Sequence, residues 1–482
     1  MNKHLVALAL AAVTALALSA CNGSSGSSSG VAPLPNAAGA SGHRVHHLDT
    51  GTQDLHAGGA TFPAYGYNLG DQPVGVATYG PPQPTPGPGS VLAAYGGTGV
   101  PYYCLTGSGF GRKEFEANNG TATQQCAALG QTPVGFGARQ DPLDFVGSDQ
   151  ALPSTECCAS GSPYYNGRLT GSVTWGQPFE LPTFGGPLVF PYNQASFTGL
   201  GSSTPLRLST WTYCAISNGV ISDWNDPAIT EDNGTSVTGG ISETIHFYFR
   251  SDNSGTTYLF TNFLNHACNK PWKKKYAKDP YQDLSKGRDA SWSFGVNQAW
   301  PGPGSSGDPN SRFFGESGNP GVIGGIQSDT WGTGYAEGAW AAAAGIAQAS
   351  LLDSSGSHFV SPTDAKAVAK ALSKVRTIDY GQGSDGNPLG SSTPWCQLYI
   401  PPTEFVKTPK KAYPIVGLSY WLFYGQNNGV HVSDKKKLIQ FIASTQADAL
   451  LGPLEYTPLS KKIHTAVLNA LNGSGSHTAC LQ

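Results

Sequence analysis

The chain has 482 residues, about three times a common ~150-residue domain, so two or three compact units are expected. Apolar residues make up 39%, with 10 Trp, 21 Tyr and 20 Phe, while charged residues reach only 12%, about half the ordinary ~25% share. With 63 Gly and 35 Pro this composition excludes a coiled coil, a charged disordered tail and a helix-only bundle, and a net charge of −3 supplies no basic excess with which to hold a nucleic-acid backbone.

Lys3 and His4 precede an apolar run from Leu5 to Leu18, whose 14 residues fit a signal-peptide core better than a membrane span. The run ends in Leu18-Ser19-Ala20-Cys21, which resembles a bacterial lipobox. Residues 1–21 therefore read as a signal peptide with Cys21 as the lipidated residue, giving an acyl anchor and no spanning helix. Residues 22–50 are rich in Gly, Ser and Ala, as in a flexible tether. The His43-Arg44-Val45-His46-His47 cluster at its end reads as solvated, and no metal site is expected.

Four short segments beyond the tether carry polar groups on tight turns. Gly58-Gly59-Ala60-Thr61-Phe62-Pro63-Ala64 joins a glycine turn to a proline suited to the opening of a helix. Thr106-Gly107-Ser108-Gly109-Phe110-Gly111 is a second such turn, leading into Arg112-Lys113-Glu114-Phe115. Phe145-Val146-Gly147-Ser148-Asp149 is an apolar strand ending in a hydroxyl and a carboxylate. Strand-like runs follow at Leu188 to Phe190 and Ile245 to Phe249. The second of these enters Arg250-Ser251-Asp252-Asn253-Ser254-Gly255-Thr256-Thr257, which places a guanidinium just before a helix start. Unpaired N–H groups at helix starts favour an anion, and the planar fork of Arg grips two of its oxygens.

Helical patterns are expected at Thr257 to Leu264, Tyr335 to Leu352, Asp364 to Val375, Lys435 to Ser444 and Lys461 to Leu471. Within the second of these, Ala339 to Leu352 reads as a buried helix packed through small residues. Trp300 to Asn319, dense in Gly, Pro, Ser and Asn, reads as a long surface loop. Strands alternating with helices and the lack of a 20–50-residue repeat point to α/β units. Apart from Cys21, eight cysteines remain: Cys104, Cys126, Cys157, Cys158, Cys214, Cys268, Cys396 and Cys480. In an exported chain they imply up to four disulfides, with the adjacent Cys157 and Cys158 expected to take different partners.

The motifs, in this order, resemble the high-affinity phosphate-binding proteins of bacterial ABC phosphate transporters. Thr61-Phe62-Pro63-Ala64, Gly107-Ser108, Ser148-Asp149 and Arg250 with Ser254-Gly255-Thr256 carry the resemblance. Ser222 to Ile229, Gly332 to Glu337 and Ala412 to Ile415 extend it, so that it runs from about residue 54 to the end. This chain departs from the pattern at Ala57, at Phe110, and in extra loops around Gln150 to Phe184 and Pro271 to Asn319.

The resemblance implies an α/β, two-lobed periplasmic-binding-protein-like (type II) fold with a hinge. Lobe 1 would be residues 51–185 plus 412–482, and lobe 2 residues 186–411. It implies extracytoplasmic binding of inorganic phosphate by Thr61, Phe62, Ser108, Asp149, Arg250, Ser254, Gly255 and Thr256. Arg250 would give the charged contact, the hydroxyls and helix-start N–H groups would donate, and Asp149 would accept a proton carried by phosphate. Sulfate, having no such proton at neutral pH, would be refused. An ABC permease is the implied partner of a monomer that meets the membrane, on its periplasmic or outer face, only through the lipid anchor. No cofactor, no nucleic acid and no catalysis are implied. The alternative is a secreted phosphate binder uncoupled from transport, or one with phosphatase activity, although HExxH and Walker A sequences are absent and no G-x-S-x-G elbow joins a strand to a helix.

Overall fold

A computed structural model describes residues 54–71, 86–118, 143–169, 175–268, 290–305, 312–425 and 431–482. The expectations for residues 1–21 with Cys21, for the tether at 22–50 and its histidines, and for Cys126 lie outside the described residues.

The first strands are short and buried on both faces. β1 (Leu55–Gly59) lies between β2 (Pro101–Cys104) and β3 (Phe145–Ser148), parallel to each. Near-continuous burial is what a parallel sheet covered on both faces demands, and it explains why these strands lack alternation. The long β4 (Pro178–Val189) is buried throughout. Farther along, β5 (His246–Arg250) forms the centre of a second, three-stranded parallel sheet with β6 (Phe313–Glu316) and β7 (Gly332–Gly334). The chain then returns to the first sheet. β8 (Ala336–Glu337) pairs with β4, β9 (Val416–Tyr424) runs antiparallel between β4 and β3, and β10 (Thr457–Pro458) adds to β4. This seven-stranded sheet has the order β8-β4-β9-β3-β1-β2, with β10 on β4. The register between β9 and β4 shifts between Leu418 and Tyr420, a bulge opposite the proline- and glycine-bearing part of β4.

Aromatic side chains fill the space behind each sheet. Tyr67 packs against Tyr103, Phe184 and Trp421 with ring centres 5.3, 5.0 and 5.1 Å apart. On the second sheet Tyr335 stacks on Phe260 at 4.4 Å and on Trp300 at 5.4 Å. Offset and edge-on packing of this kind contributes beyond simple area burial.

Three helices start beside strand ends: α1 (Ser108–Ala117), α2 (Gly255–Ala267) and α3 (Gly318–Ser328). Ala365–Leu372, Val432–Ile442 and Lys461–Asn472 are helical near their expected positions. Tyr335 to Leu352 is not one helix. Only Gly338–Ala343 is helical, and Ala347–Gln348 and Ser350–Leu352 are strands. Gly345, at φ +66°, turns the backbone out of the helix, so the alanine-rich composition is overridden at one residue. The expected loop from Trp300 to Asn319 also holds structure, since β6 and the start of α3 lie within it.

Cys214–Cys268 and Cys396–Cys480 are disulfides with Cα atoms 5.9 and 5.5 Å apart, and Cys104 is also disulfide-bonded. The expectation for the adjacent pair is corrected: Cys157 and Cys158 are bonded to each other, with their Cα atoms 3.1 Å apart. Cys214–Cys268 cross-links residues 54 positions apart and ties the end of α2 to the earlier helix Thr210–Ser217. Replacing both by Ser is expected to lower the unfolding free energy by ~2–4 kcal/mol in denaturant titration. An unchanged midpoint would show that the cross-link adds nothing.

Candidate functional site

Each strand that leads to a polar motif delivers it from its carboxyl end, where open α/β sheets place their ligands. β1 runs into Thr61 and Phe62, β3 into Asp149, and β5 ends on Arg250. The starts of α1, α2 and α3 converge on the same place, bringing Ser108, then Gly255 and Thr256, then Gly318 and Asn319. Helix starts carry unpaired N–H groups and partial positive charge, an arrangement that favours an anion.

Contacts bind the two sheets' contributions into one site. A methyl group on Gly255 would lie 2.5 Å from Ser108 Oγ and 2.6 Å from Asp149 Cβ, so glycine is required for this approach. Gly109 N donates to Asn253 O at 3.1 Å across the same seam. All eight residues expected as ligands are buried here. Ser108 Oγ donates to Asp149 Oδ2 at 3.3 Å and accepts from Asp149 N at 3.2 Å. Ser254 Oγ caps α2 by accepting from Thr257 N at 3.2 Å. Thr61 and Phe62 are held from behind, by Trp340 Nε1 donating to Thr61 O at 2.8 Å and Tyr456 OH donating to Phe62 O at 2.7 Å.

Arg250, 1% exposed, is pinned by Asp252. Its Nε donates to Oδ1 at 2.7 Å and Nη2 to Oδ2 at 2.5 Å, while Nη1 reaches Thr256 Oγ1 at 3.3 Å. Burial alone would lower the guanidinium's pKa, but the Asp252 charge and hydrogen bonds more than offset it and the group stays charged. Burial likewise opposes ionisation of Asp252, and Arg250 outweighs it, so that carboxyl stays below its ordinary range.

Asp149 behaves differently. Burial pushes its carboxyl up to about 7, despite the opposing hydrogen bond from Ser419, the charge of Arg250 and the bond from Ser108. Asp149 thus sits near neutrality between its charged and uncharged forms, able either to accept or to donate a hydrogen bond.

Asp252, Asn319, Tyr335 and Ser419 are not among the residues expected as ligands, yet all four shape the cleft. Asp252 and Tyr335 lie within segments already singled out, and Tyr335 OH bonds both Arg250 N at 3.1 Å and Thr257 Oγ1 at 2.7 Å. Ser419 donates to Asp149 Oδ1; its only sequence signal is a hydroxyl inside an apolar strand. Asn319 stands in the stretch expected as a loop and shows no signal by itself.

A sequence profile described as a PBP superfamily domain matches residues 101–446, well over half of the chain. The chain belongs to the PBP superfamily. Among relatives within the superfamily, the chain is 34% identical over 176 residues to the phosphate-binding protein PstS 3 of Mycobacterium tuberculosis. That match covers 36% of each, so the chain spans about a third of that relative's length. It is 28% identical over 306 residues to the phosphate-binding protein PstS of Methanocaldococcus jannaschii, covering 62% of this chain and 68% of the relative. Its fold is similar to that of a high-affinity periplasmic phosphate-binding protein bound with phosphate, at a TM-score of 0.58 and 21% identity over 89% of this chain and 96% of the other. A phosphate-binding protein from Stenotrophomonas maltophilia is similar at a TM-score of 0.52 and 18% identity, over 86% and 92% of the two chains. The α/β, two-lobed architecture expected from the sequence is the fold of these superfamily members.

In protein stripped of anions, the Asp149 side-chain carbon is expected to titrate near pH 7 by carbon-detected NMR. Ser419→Ala should move that midpoint up by roughly half to one unit, since loss of a bond to the charged form favours the neutral one. A midpoint near the ordinary aspartate value would contradict the burial of this carboxyl.

Proposed function

We propose that this chain captures inorganic phosphate outside the cytoplasm and hands it to a membrane permease of the ABC type. The observation that carries the reading is the pairing, in one buried cleft, of a fixed guanidinium with a carboxyl poised near pH 7. In this reading Arg250 makes the charged contact, and Thr61, Ser108, Ser254 and Thr256 donate hydroxyl hydrogen bonds. Backbone N–H groups at Phe62, Gly255 and Thr256 supply the rest. The lobes are residues 51–185 with 412–482, and 186–411, closing on the anion between them. Among the described residues no helix is long and apolar enough to cross a membrane, which is compatible with attachment through a lipid on Cys21. Ser254 Oγ is committed to capping α2, an arrangement suited to binding and not to nucleophilic attack.

Discrimination follows from one proton. A hydrogen bond between Asp149 and a ligand oxygen needs a proton from one side or the other. Phosphate brings its own to the ionised carboxylate. Sulfate brings none, so above pH 7 it faces a buried like charge, and below pH 7 a protonated Asp149 becomes able to donate to it.

Calorimetric titration of anion-stripped protein tests this directly. Phosphate should bind and sulfate should bind far more weakly at pH 8, with the gap narrowing as pH falls through about 7. Asp149→Asn should narrow it at every pH. Arg250→Ala should weaken phosphate by at least ~30-fold, the effect of roughly 2 kcal/mol or more from losing one member of a buried charged contact. Equal affinity for the two anions at pH 8, or unaltered phosphate binding by Arg250→Ala, would overturn the reading.

A further inference from the structure

The hydroxyl of Thr256 is surrounded by donors. Arg250 Nη1 lies 3.3 Å from Thr256 Oγ1, and Asn319 Nδ2 lies 3.5 Å from the same oxygen. A threonine hydroxyl has two lone pairs and a single proton. Two N–H donors occupy the lone pairs, so the proton is turned away from both. Arginine has no acceptor to take it, and the Asn319 amide faces it with hydrogen atoms. The direction left to the proton is the cleft.

Asn319 also reaches Thr61. Its backbone N–H donates to Thr61 Oγ1 at 3.5 Å, so one residue at the first turn of α3 contacts hydroxyls supplied by both sheets' sides of the cleft. Asn319 is fully buried, at 0% exposure. Its Oδ1 has no hydrogen-bond partner among the described residues.

We infer that Asn319 is a positioning residue of the anion site, which with Arg250 fixes the Thr256 hydroxyl as an obligatory donor toward the bound anion. The inference rests on the phosphate-binding reading and deepens it. Two groups then read different oxygens of one ligand. Thr256, unable to accept, recognises an unprotonated oxygen, and Asp149 recognises a protonated one. A rotating hydroxyl could serve either kind of oxygen; a hydroxyl held by two donors cannot. Fixing it also removes the rotational freedom that the ligand would otherwise have to restrict on binding.

A double-mutant cycle read by phosphate titration tests the inference, with inorganic phosphate as probe and thermal unfolding as a control for folding. Asn319→Ala alone should weaken phosphate about five- to twentyfold. In a Thr256→Val background, where there is no hydroxyl to direct, the same change should cost less than about twofold. If Asn319→Ala does not fold, Asn319→Ser, too short to reach Thr256, takes its place in the cycle. Asn319→Asp, of the same shape but offering only acceptors, should weaken phosphate more than Asn319→Ala, because it draws the Thr256 proton toward itself and adds a negative charge. Equal losses in the two backgrounds, or near-wild-type binding by Asn319→Asp, would overturn the inference while leaving phosphate binding in place. Failure of the wild-type protein to bind phosphate would overturn the underlying reading, and this inference with it.

Discussion

The cleft is organised by one buried ion pair, Arg250 with Asp252. A guanidinium at 1% exposure keeps its charge only if its N–H groups are satisfied, and Asp252 takes two of its directions. That leaves Nη1 aimed at Thr256 and the rest of the cleft. The same carboxylate accepts from Gly318 N at 3.0 Å, which seats the start of α3 and so fixes where Asn319 stands. Such a pair adds little to stability on balance, because desolvation offsets most of the attraction. Its effect here is geometric, since the tip of β5 and the starts of α2 and α3 all take their positions from it.

Around that pair the cleft is nearly free of net charge. Asp252 cancels Arg250, and Asp149 is close to half-ionised near pH 7. In the reading proposed, an anion there would meet the Arg250 charge together with hydroxyls and the N–H groups of three helix starts, beside the buried rings of Tyr67, Tyr103 and Trp421. The low charge content of the whole chain accords with this design. In a dry cleft, oriented neutral donors act strongly, and a surplus of positive charge would attract any anion without distinction.

The strand-tip segments were legible in the sequence because the backbone there needs particular residues. Gly255 must lack a side chain to meet Ser108 and Asp149, and Ser254 must cap α2. The cap is a local demand, met within three residues, whereas the approach of Gly255 to Ser108 and Asp149 was implied only by the order in which the motifs resemble a known family. Ser419 and Asn319 were not legible, because each acts on a partner far away in the chain. Ser419 contacts Asp149 over a separation of 270 residues, and Asn319 contacts Thr61 over 258. Pattern reading also failed where one residue decides the outcome. Gly345 ends an alanine-rich helix that periodicity would continue, and the strand β6 sits in a segment whose glycines and prolines suggested only loop. For Cys157 and Cys158, adjacency pointed to different partners, whereas the two are bonded to each other.

Tyr456, which holds the backbone of Phe62, has a consequence for the order in which the molecule assembles. Its hydroxyl reaches Phe62 O across 394 residues and also bonds Glu337 Oε2 at 3.1 Å. The cleft therefore draws on both ends of the described chain and on its middle. Contacts of such long range form late, because the loops they close must be ordered first. A nascent chain that has already emitted Arg250 and all of α2 still lacks Ser419 behind Asp149 and Tyr456 behind Phe62. Under the proposed function, the groups that back the site come together only after Ser419 and Tyr456 have joined Asp149 and Phe62.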